Sequence, residues 1–330
     1  MRAAVAAILL AAMPLTAQAQ TRLPVETFDV MPPEGRVAGR PGQMYVVQRQ
    51  CRVGPTSWAR RRLVDVAVQE WAVFGFQTVD ARPVEVRRLP DGVVPEALNP
   101  ERPAPRLARH MLRFGNWEDE RRLYATVAGY WSATPDGEEI IARQNRQWNT
   151  AEGEVNWVEP WSAAFISWVM CEGGLGDLTQ FRRDIAHRVY IDQAIKARDG
   201  EGEGAAYVAF DPGEAEIAPG DLICNARGGV TYRTLADRRA DMGRAVGTHC
   251  DIVVRVADDR INVIGGNVIN GVTLTILPMM RERDGAFARP LSVDDMDGAR
   301  TIFAHLKLQA DPVEPEAMDN SPTIRALAAP

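Results

Sequence analysis

The chain has 330 residues, of which 46% are hydrophobic and 25% are charged, and its formal net charge at pH 7 is −6. These proportions are typical of a soluble globular protein with a full core, and they exclude a largely disordered chain. The acidic balance argues against a nucleic-acid partner, which would favour a basic surface.

The N-terminus has the pattern of a signal peptide. Arg2 precedes a short apolar run, and Ala17-Gln18-Ala19 matches a small-residue cleavage site, so we predict removal of residues 1–19. No later segment approaches the roughly eighteen uninterrupted apolar residues of a membrane span. We therefore predict a periplasmic or secreted protein without a membrane span.

The four cysteines are compatible with disulfides in such an oxidising compartment. They are Cys51, Cys171, Cys224 and Cys250, and they allow three pairings. None has a Cys-x-x-Cys spacing or a nearby histidine pair, so the sequence indicates no metal site and no cofactor.

Helical patterns come first along the chain. A Pro- and Gly-rich stretch over 20–55 predicts an extended N-terminal arm. Apolar residues at three- and four-residue steps then predict amphipathic helices over 57–74 and 117–131, and prolines between 83 and 105 indicate a surface connection. A further helix is predicted over 184–197.

Strand patterns follow, and they predict about five antiparallel strands. Their apolar runs lie over 222–224, 250–256, 261–264, 272–277 and 301–308. Helices followed by strands predict an α+β fold. Residues 310–330, rich in Pro, Ala, Asp and Glu, predict a disordered tail.

The stretch from Trp157 to Gly174 predicts a short buried helix at the centre of the fold. Pro160 and Ser162 favour its start, Gly173 and Gly174 favour its end, and the residues between are almost all apolar. The positive end of such a helix stabilises negative charge on a nucleophile or a substrate oxygen, so Ser162 is a candidate for chemistry.

Four sequence blocks in order carry a resemblance. They are Pro-Trp-Ser-Ala-Ala-Phe-Ile-Ser-Trp at 160–168, Pro-Gly-Asp-Leu-Ile at 219–223, His-Cys-Asp-Ile-Val-Val at 249–254 and Ile-Gly-Gly-Asn-Val at 264–268. The chain resembles CHAP and NlpC-like domains, which are papain-like cell-wall amidases and peptidases, and more closely the bacterial domain of unknown function 2272. The resemblance covers roughly 57–308 and implies a papain-like domain over 56–309, with the central helix packed on a small antiparallel barrel or sheet.

The resemblance also implies catalytic roles. The superfamily's cysteine nucleophile, histidine base and third polar residue correspond to Ser162, His249 and Asn267. Serine replaces cysteine here, and a hydroxyl is far less acidic than a thiol, so it needs a well-placed base. The alternative is that Ser162 only caps the helix through its side-chain oxygen.

The other candidates have structural alternatives as well. His249 at a strand start could be purely structural, and Asn267 beside two glycines could be a turn residue with positive φ. Glu159 is a candidate substrate-binding carboxylate or a solvated loop residue.

Three more side chains are candidates for contact with a substrate. His187, with Tyr190 on the same helical face, could approach the cleft or could pack its helix. Trp157 and Trp161 could line a groove for glycan or peptide, or could belong to the core.

The resemblance makes the strands of Cys224 and Cys250 neighbours, which predicts a cross-strand disulfide between them. Cys51 and Cys171 are then left as the second pair. This second pairing requires the N-terminal arm to reach the buried helix.

The function implied is that of an exported cell-envelope hydrolase acting on peptidoglycan or a peptide-like substrate. The alternative is a catalytically inactive homologue that binds a cell-wall fragment or a periplasmic partner protein. A hydrolase of another amide or an ester remains a third interpretation, because a fold does not fix a substrate. The sequence does not indicate an oligomeric state.

Overall fold

The computed structural model describes residues 21–81, 116–151, 155–281, 286–295 and 298–328. The predicted signal peptide and most of the proline-rich connection lie outside these residues. Within them, no helix is long and apolar enough to cross a bilayer.

The helices predicted around 57–74, 162–173 and 184–197 are present, and the helix predicted over 117–131 is reduced to its second half. The α-helices are α1 (Val25–Phe28), α2 (Ala59–Val73), α3 (Tyr124–Trp131), α4 (Gly137–Thr150), α5 (Ser162–Gly173), α6 (His187–Arg198), α7 (Leu235–Ala240) and α8 (Pro322–Ala328). Short 3-10 turns precede α2 and α3.

All five predicted strands are present, and shorter strands add to them. The strands are β1 (Val37–Ala38), β2 (Tyr45–Val46), β3 (Thr78–Asp80), β4 (Tyr207–Phe210), β5 (Leu222–Ala226), β6 (Thr248–Val256), β7 (Arg260–Val268), β8 (Gly271–Met280), β9 (Arg289–Pro290) and β10 (Thr301–Leu308).

The main sheet is mixed and open. Its order is β3-β8-β7-β6-β5-β10-β4, with β9 paired to β8, and β3 runs parallel to β8 while the other pairs are antiparallel. Of the two arrangements implied by the resemblance, a small antiparallel barrel or sheet, the described residues form an open sheet, and the parallel strand β3 makes it mixed. Strand β3 extends the sheet at one edge, and β4, packed against α6, extends it at the other.

Helix α5 lies at the centre of the fold. All of its residues are buried, and it packs against α2 and α3 and against β6 and β7 of the sheet. Gly174, with φ 102°, ends it in the left-handed region that glycine adopts without strain. Strand β7 passes so close to it that a Cβ on Gly266 would lie 2.4 Å from Cβ of Phe165.

The N-terminal arm is fixed to α5. Its residue Arg36 is buried and pairs with Glu172 of α5 at 2.7 Å. A disulfide joins Cys51 of the arm to Cys171 of the same helix. A second disulfide joins Cys224 to Cys250 across β5 and β6, so both predicted pairings are confirmed.

The C-terminal segment differs from the expected disordered tail. Over the described residues 310–328 the chain folds back onto the domain, where Ala317 is fully buried and the Met318 N–H donates to the Val254 carbonyl at 2.9 Å. Helix α8 then packs on α2. Apolar side chains spaced through this polar segment hold it on the domain. The average composition, from which the disordered tail was predicted, does not show them.

Candidate functional site

Ser162 is the first residue of α5, and its hydroxyl contacts a histidine. The Oγ atom lies 2.7 Å from Nε2 of His187, the first residue of α6. The helix N-cap is Trp161, and α5 has no side-chain cap among the described residues, so the expected capping role of Ser162 is not observed. The exposed fractions of Ser162 and His187 are only 5% and 4%.

The other ring nitrogen of His187 determines which atom donates in that contact. The backbone N–H of Cys250 donates to Nδ1 of His187 at 3.2 Å, and the Tyr190 hydroxyl contacts the same nitrogen. A backbone N–H can only donate, so Nδ1 must present a lone pair and the proton of the neutral ring is on Nε2. His187 therefore donates to Ser162 Oγ in this state.

The electrostatic surroundings keep this ring neutral. Burial lowers the pKa of His187 well below its ordinary value of 6.5, the neighbouring His249 and Arg227 lower it further, and Asp251 opposes them. A protonated ring would also place an Nδ1–H against the Cys250 N–H. The pKa direction and the hydrogen bonds thus agree on a neutral imidazole.

His249, the histidine predicted as the base, makes a different contact. Its Nε2 lies 2.7 Å from Oδ1 of Asp251, and Arg300 pairs with the other oxygen of that carboxylate. Burial alone would raise the pKa of Asp251, but Arg300 and His249 hold it well below its ordinary value. Asp251 is thus ionised and fixes the proton of a neutral His249 on Nε2, and Nδ1 has no partner among the described residues.

Strand alternation explains why His249 does not contact Ser162. His249 and Asp251 share one face of β6, whereas Cys250 points to the other face, into the core that contains α5. The His249 and His187 ring centroids are 5.0 Å apart. The histidine that contacts Ser162 is therefore His187 of α6, and not His249 as the sequence blocks implied.

Asn267 holds the entry of α5 instead of orienting a histidine. With its amide nitrogen towards Glu118, it donates to Oε2 at 3.2 Å and accepts from the Trp161 N–H at 3.2 Å. Its φ is positive, at 54°, as the alternative expected, but the residue lies near the end of β7 and not in a turn.

Glu118 is a buried carboxylate that the sequence reasoning missed. It accepts from Trp161 Nε1 at 2.5 Å, and only 4% of the residue is exposed. Burial raises its pKa, while hydrogen bonds from the Trp161 side chain and the Trp157 backbone oppose the rise. Glu118 thus contacts the residue that immediately precedes Ser162.

The remaining candidates for substrate contact, Trp161, Trp157 and Glu159, have the structural roles considered as alternatives. Trp161 is fully buried and stacks on Tyr130 with ring centroids 5.5 Å apart, and Trp157 packs edge-on against Trp148 at 5.3 Å. Both belong to the core and do not line an open groove. Glu159 is partly exposed and pairs with Arg143 at 2.6 Å.

Two of these contacts had a signal in the sequence. His187 and Tyr190 are three residues apart on one helix face, and His249 and Asp251 are two residues apart on one strand face. Each spacing brings the two side chains of a pair together. Neither spacing indicates which pair meets Ser162, because that depends on how α6 and β6 pack around α5.

Fold and site together define a mixed α+β protein with a buried serine–histidine pair at the start of its central helix. Residues 118–308 match the family described as "Uncharacterized protein conserved in bacteria (DUF2272)", and the chain belongs to that family. The match includes the whole site from Glu118 to Asn267 but begins after α2, later than the resemblance suggested. No curated protein and no solved structure matches the chain.

Proposed function

We propose that this protein is an exported serine-dependent amide hydrolase of the CHAP and NlpC-like type, acting on peptide bonds of peptidoglycan. The observation that carries the proposal is the 2.7 Å contact between Ser162 Oγ and His187 Nε2 at the first turn of a buried helix. The four sequence blocks support the type of reaction and the substrate. Two disulfides, which are typical of oxidising compartments, support export.

His187 acts as the base only after its proton has moved between the two ring nitrogens. The base form carries the proton on Nδ1, where the Tyr190 oxygen accepts it, and Nε2 then accepts the proton of Ser162. In this form the hydrogen bond from the Cys250 N–H is lost, and its loss costs about 1–3 kcal/mol of free energy. This cost reduces the population of the reactive form roughly 5- to 150-fold. It is small compared with the barrier reduction that enzymes achieve, which is about 8 kcal/mol or more.

The reaction then has two steps. In the first, Ser162 Oγ bonds to the substrate carbonyl carbon, its proton passes to His187 Nε2, and that proton leaves with the amine as the C–N bond breaks. In the second, water gives a proton to Nε2 and attacks the ester. The acyl product then leaves as the carboxylic acid, and Ser162 regains its proton.

The start of α5 supplies hydrogen-bond donors for the oxyanion. The first-turn N–H groups of a helix have no intrahelical acceptors, and here these belong to Ser162, Ala163 and Ala164. The absence of a side-chain cap in this described helix favours their use by a substrate oxygen. The positive end of the helix dipole adds to the stabilisation of negative charge.

The test is digestion of purified peptidoglycan sacculi by the mature protein, with the released fragments identified by mass spectrometry. Ser162→Ala removes the nucleophile and is expected to abolish release. Ser167→Ala is the matched control, because Ser167 is a buried serine of the same helix whose hydroxyl bonds the Asp184 backbone and not a histidine. We expect this control to retain activity.

Fragment release by the wild type and by Ser167→Ala, but not by Ser162→Ala, would support the proposal. The fragment masses would identify the bond that is cut. Equal release by Ser162→Ala, or no release by the folded wild type, would reject it for this substrate.

The second candidate is a non-hydrolytic homologue that binds a wall fragment or a periplasmic partner protein. The bond from the Cys250 N–H favours it, because this bond holds His187 as a donor to Ser162 rather than as a base. The low exposure of Ser162 and His187 points the same way. If this homologue binds a wall fragment, both the wild type and Ser162→Ala would co-sediment with sacculi; if it binds a partner protein, neither would. In both cases no fragments would be released.

A further inference from the structure

The carboxylate of Glu118 accepts hydrogen bonds from two separate segments at the entry of α5. Trp161 Nε1 donates to it at 2.5 Å, and the amide of Asn267 donates at 3.2 Å. The Trp157 backbone also contributes a hydrogen bond. One buried side chain thus joins the segment leading into α5 to the end of β7.

The same contacts hold the N-cap of α5 from outside the helix. The N–H of the N-cap residue Trp161 donates to Asn267 Oδ1, and the Trp161 side chain donates to Glu118. An ordinary cap would instead place a side-chain oxygen over the first-turn N–H groups. Holding the N-cap in this way fixes the helix start and leaves those N–H groups uncapped by a side chain.

The end of β7, which carries Asn267, and the turn that follows it have an unusual backbone. Asn267, Ile269 and Asn270 all have positive φ, and for a β-branched residue such as Ile269 this is a strained conformation. The Glu118 N–H donates to the Asn270 carbonyl at 2.9 Å, and the Gln77 side chain donates to the Ile269 carbonyl. Glu118 therefore contacts the strained turn through its backbone and the end of β7 through its side chain.

We propose that Glu118 is a positioning residue for Ser162, acting through Trp161 and Asn267 to fix the first turn of α5. This role rests on the proposed function, in which Ser162 is the nucleophile and the first-turn N–H groups hold the oxyanion. Small displacements of such groups reduce rates strongly, and a shift of about 1 Å can cost roughly a hundredfold.

The experiment measures the reaction of the full mature chain with a fluorophosphonate probe. In that reaction Ser162 Oγ bonds to phosphorus, fluoride leaves, and His187 takes the serine proton. We expect Glu118→Ala to lower the maximal rate about 10- to 100-fold while the probe concentration for half-maximal rate changes less than about threefold. Glu118→Gln should recover part of the rate, because its Oε1 still accepts from Trp161 Nε1.

Asp221→Asn is the matched control for loss of a buried carboxylate. Asp221 is fully buried and bonds Arg60 and His305, away from the entry of α5. Its replacement is expected to lower stability while leaving the rate nearly unchanged. An unaltered rate in folded Glu118→Ala, or an equal loss in Asp221→Asn, would overturn the positioning role and leave the proposed function standing.

Hydrogen exchange gives a readout that does not require activity. Glu118→Ala should speed exchange at the first-turn N–H groups of α5 at least about tenfold relative to its last turn, and Asp221→Asn should not. If the wild type does not react with the probe, the proposed function fails, and the exchange data alone decide whether Glu118 fixes the helix start. Unchanged exchange in Glu118→Ala would overturn that role as well.

Discussion

Under the proposed function, Ser162 does the work that a cysteine does in CHAP and NlpC-like enzymes, and its reactivity would depend on the neighbouring imidazole. A thiolate can be stored in a site before the reaction, whereas a serine hydroxyl must lose its proton during attack. His187 meets this requirement by position, at 2.7 Å, but is held in the donor form by Cys250. In the proposed mechanism, the shift of one ring proton separates the observed form from the reactive form.

The pH dependence of the reaction should reflect the lowered pKa of His187. The charged and titratable groups around it are His249, Arg227, Asp251 and Tyr190, and burial is the largest influence. The base acts in its neutral form, so activity should persist as the pH falls through 6.5 and should be lost only below the folded-state pKa.

Rates of fragment release measured from about pH 5 to pH 8 check this expectation. Circular dichroism at each pH serves as the control for folding. A half-maximal rate at or above pH 6.5 would mean that the titrating base is not the buried His187.

At this scale the sequence predicted the position of Ser162 at the helix start, but it did not predict the side chains around Ser162. The helix pattern places Ser162 at the start of α5 without any knowledge of the fold. His187 and Glu118 are brought to it by packing between elements distant in sequence, which periodicity does not encode. His249 was assigned from its block, and the face of β6 on which it lies became evident only from the pairing of the sheet.

At the scale of elements, the central contact is between α5 and β7. Gly266 allows it, because a Cβ there would also lie 2.9 Å from the Trp161 ring. This glycine belongs to one of the sequence blocks that carried the resemblance. Its role is close packing, since the side chain of any other residue would push the strand away from the helix start.

Gly266→Ala should therefore destabilise the fold by at least about 2 kcal/mol, through overpacking against Phe165 and Trp161. Urea denaturation followed by tryptophan fluorescence measures the change. Gly54→Ala is the matched control, because the nearest atom to its added Cβ lies 3.8 Å away, and it should stay within about 0.5 kcal/mol of the wild type. Equal stability of the two variants would contradict the close packing.

Element prediction succeeded where a strong period coincided with burial. The central helix and the five long strands have continuous apolar patterns. The short edge strands β3 and β4 and the polar helix α4, in which only four residues are buried, lacked such patterns and were missed. The antiparallel barrel or sheet was an inference from resemblance. The parallel addition of β3 to an open sheet was not visible in any single segment.

At the scale of the whole molecule, both ends of the described chain are anchored to the central layers. The disulfide between Cys51 and Cys171 and the ion pair between Arg36 and Glu172 tie the N-terminal arm to the helix that carries Ser162. The C-terminal segment packs on β6 and α2. Composition predicted an extended arm and a disordered tail, because it averages over the few apolar and ionic residues that form these anchors.

The most direct test of the account compares the two histidines. Ser162 phosphonylation by a fluorophosphonate probe should fall at least about a hundredfold in His187→Ala, because general bases contribute on this scale. It should stay within about threefold in His249→Ala, whose ring pairs with Asp251 on the other face of β6. Retention of the rate in His187→Ala together with its loss in His249→Ala would contradict the account and restore the assignment implied by the sequence blocks.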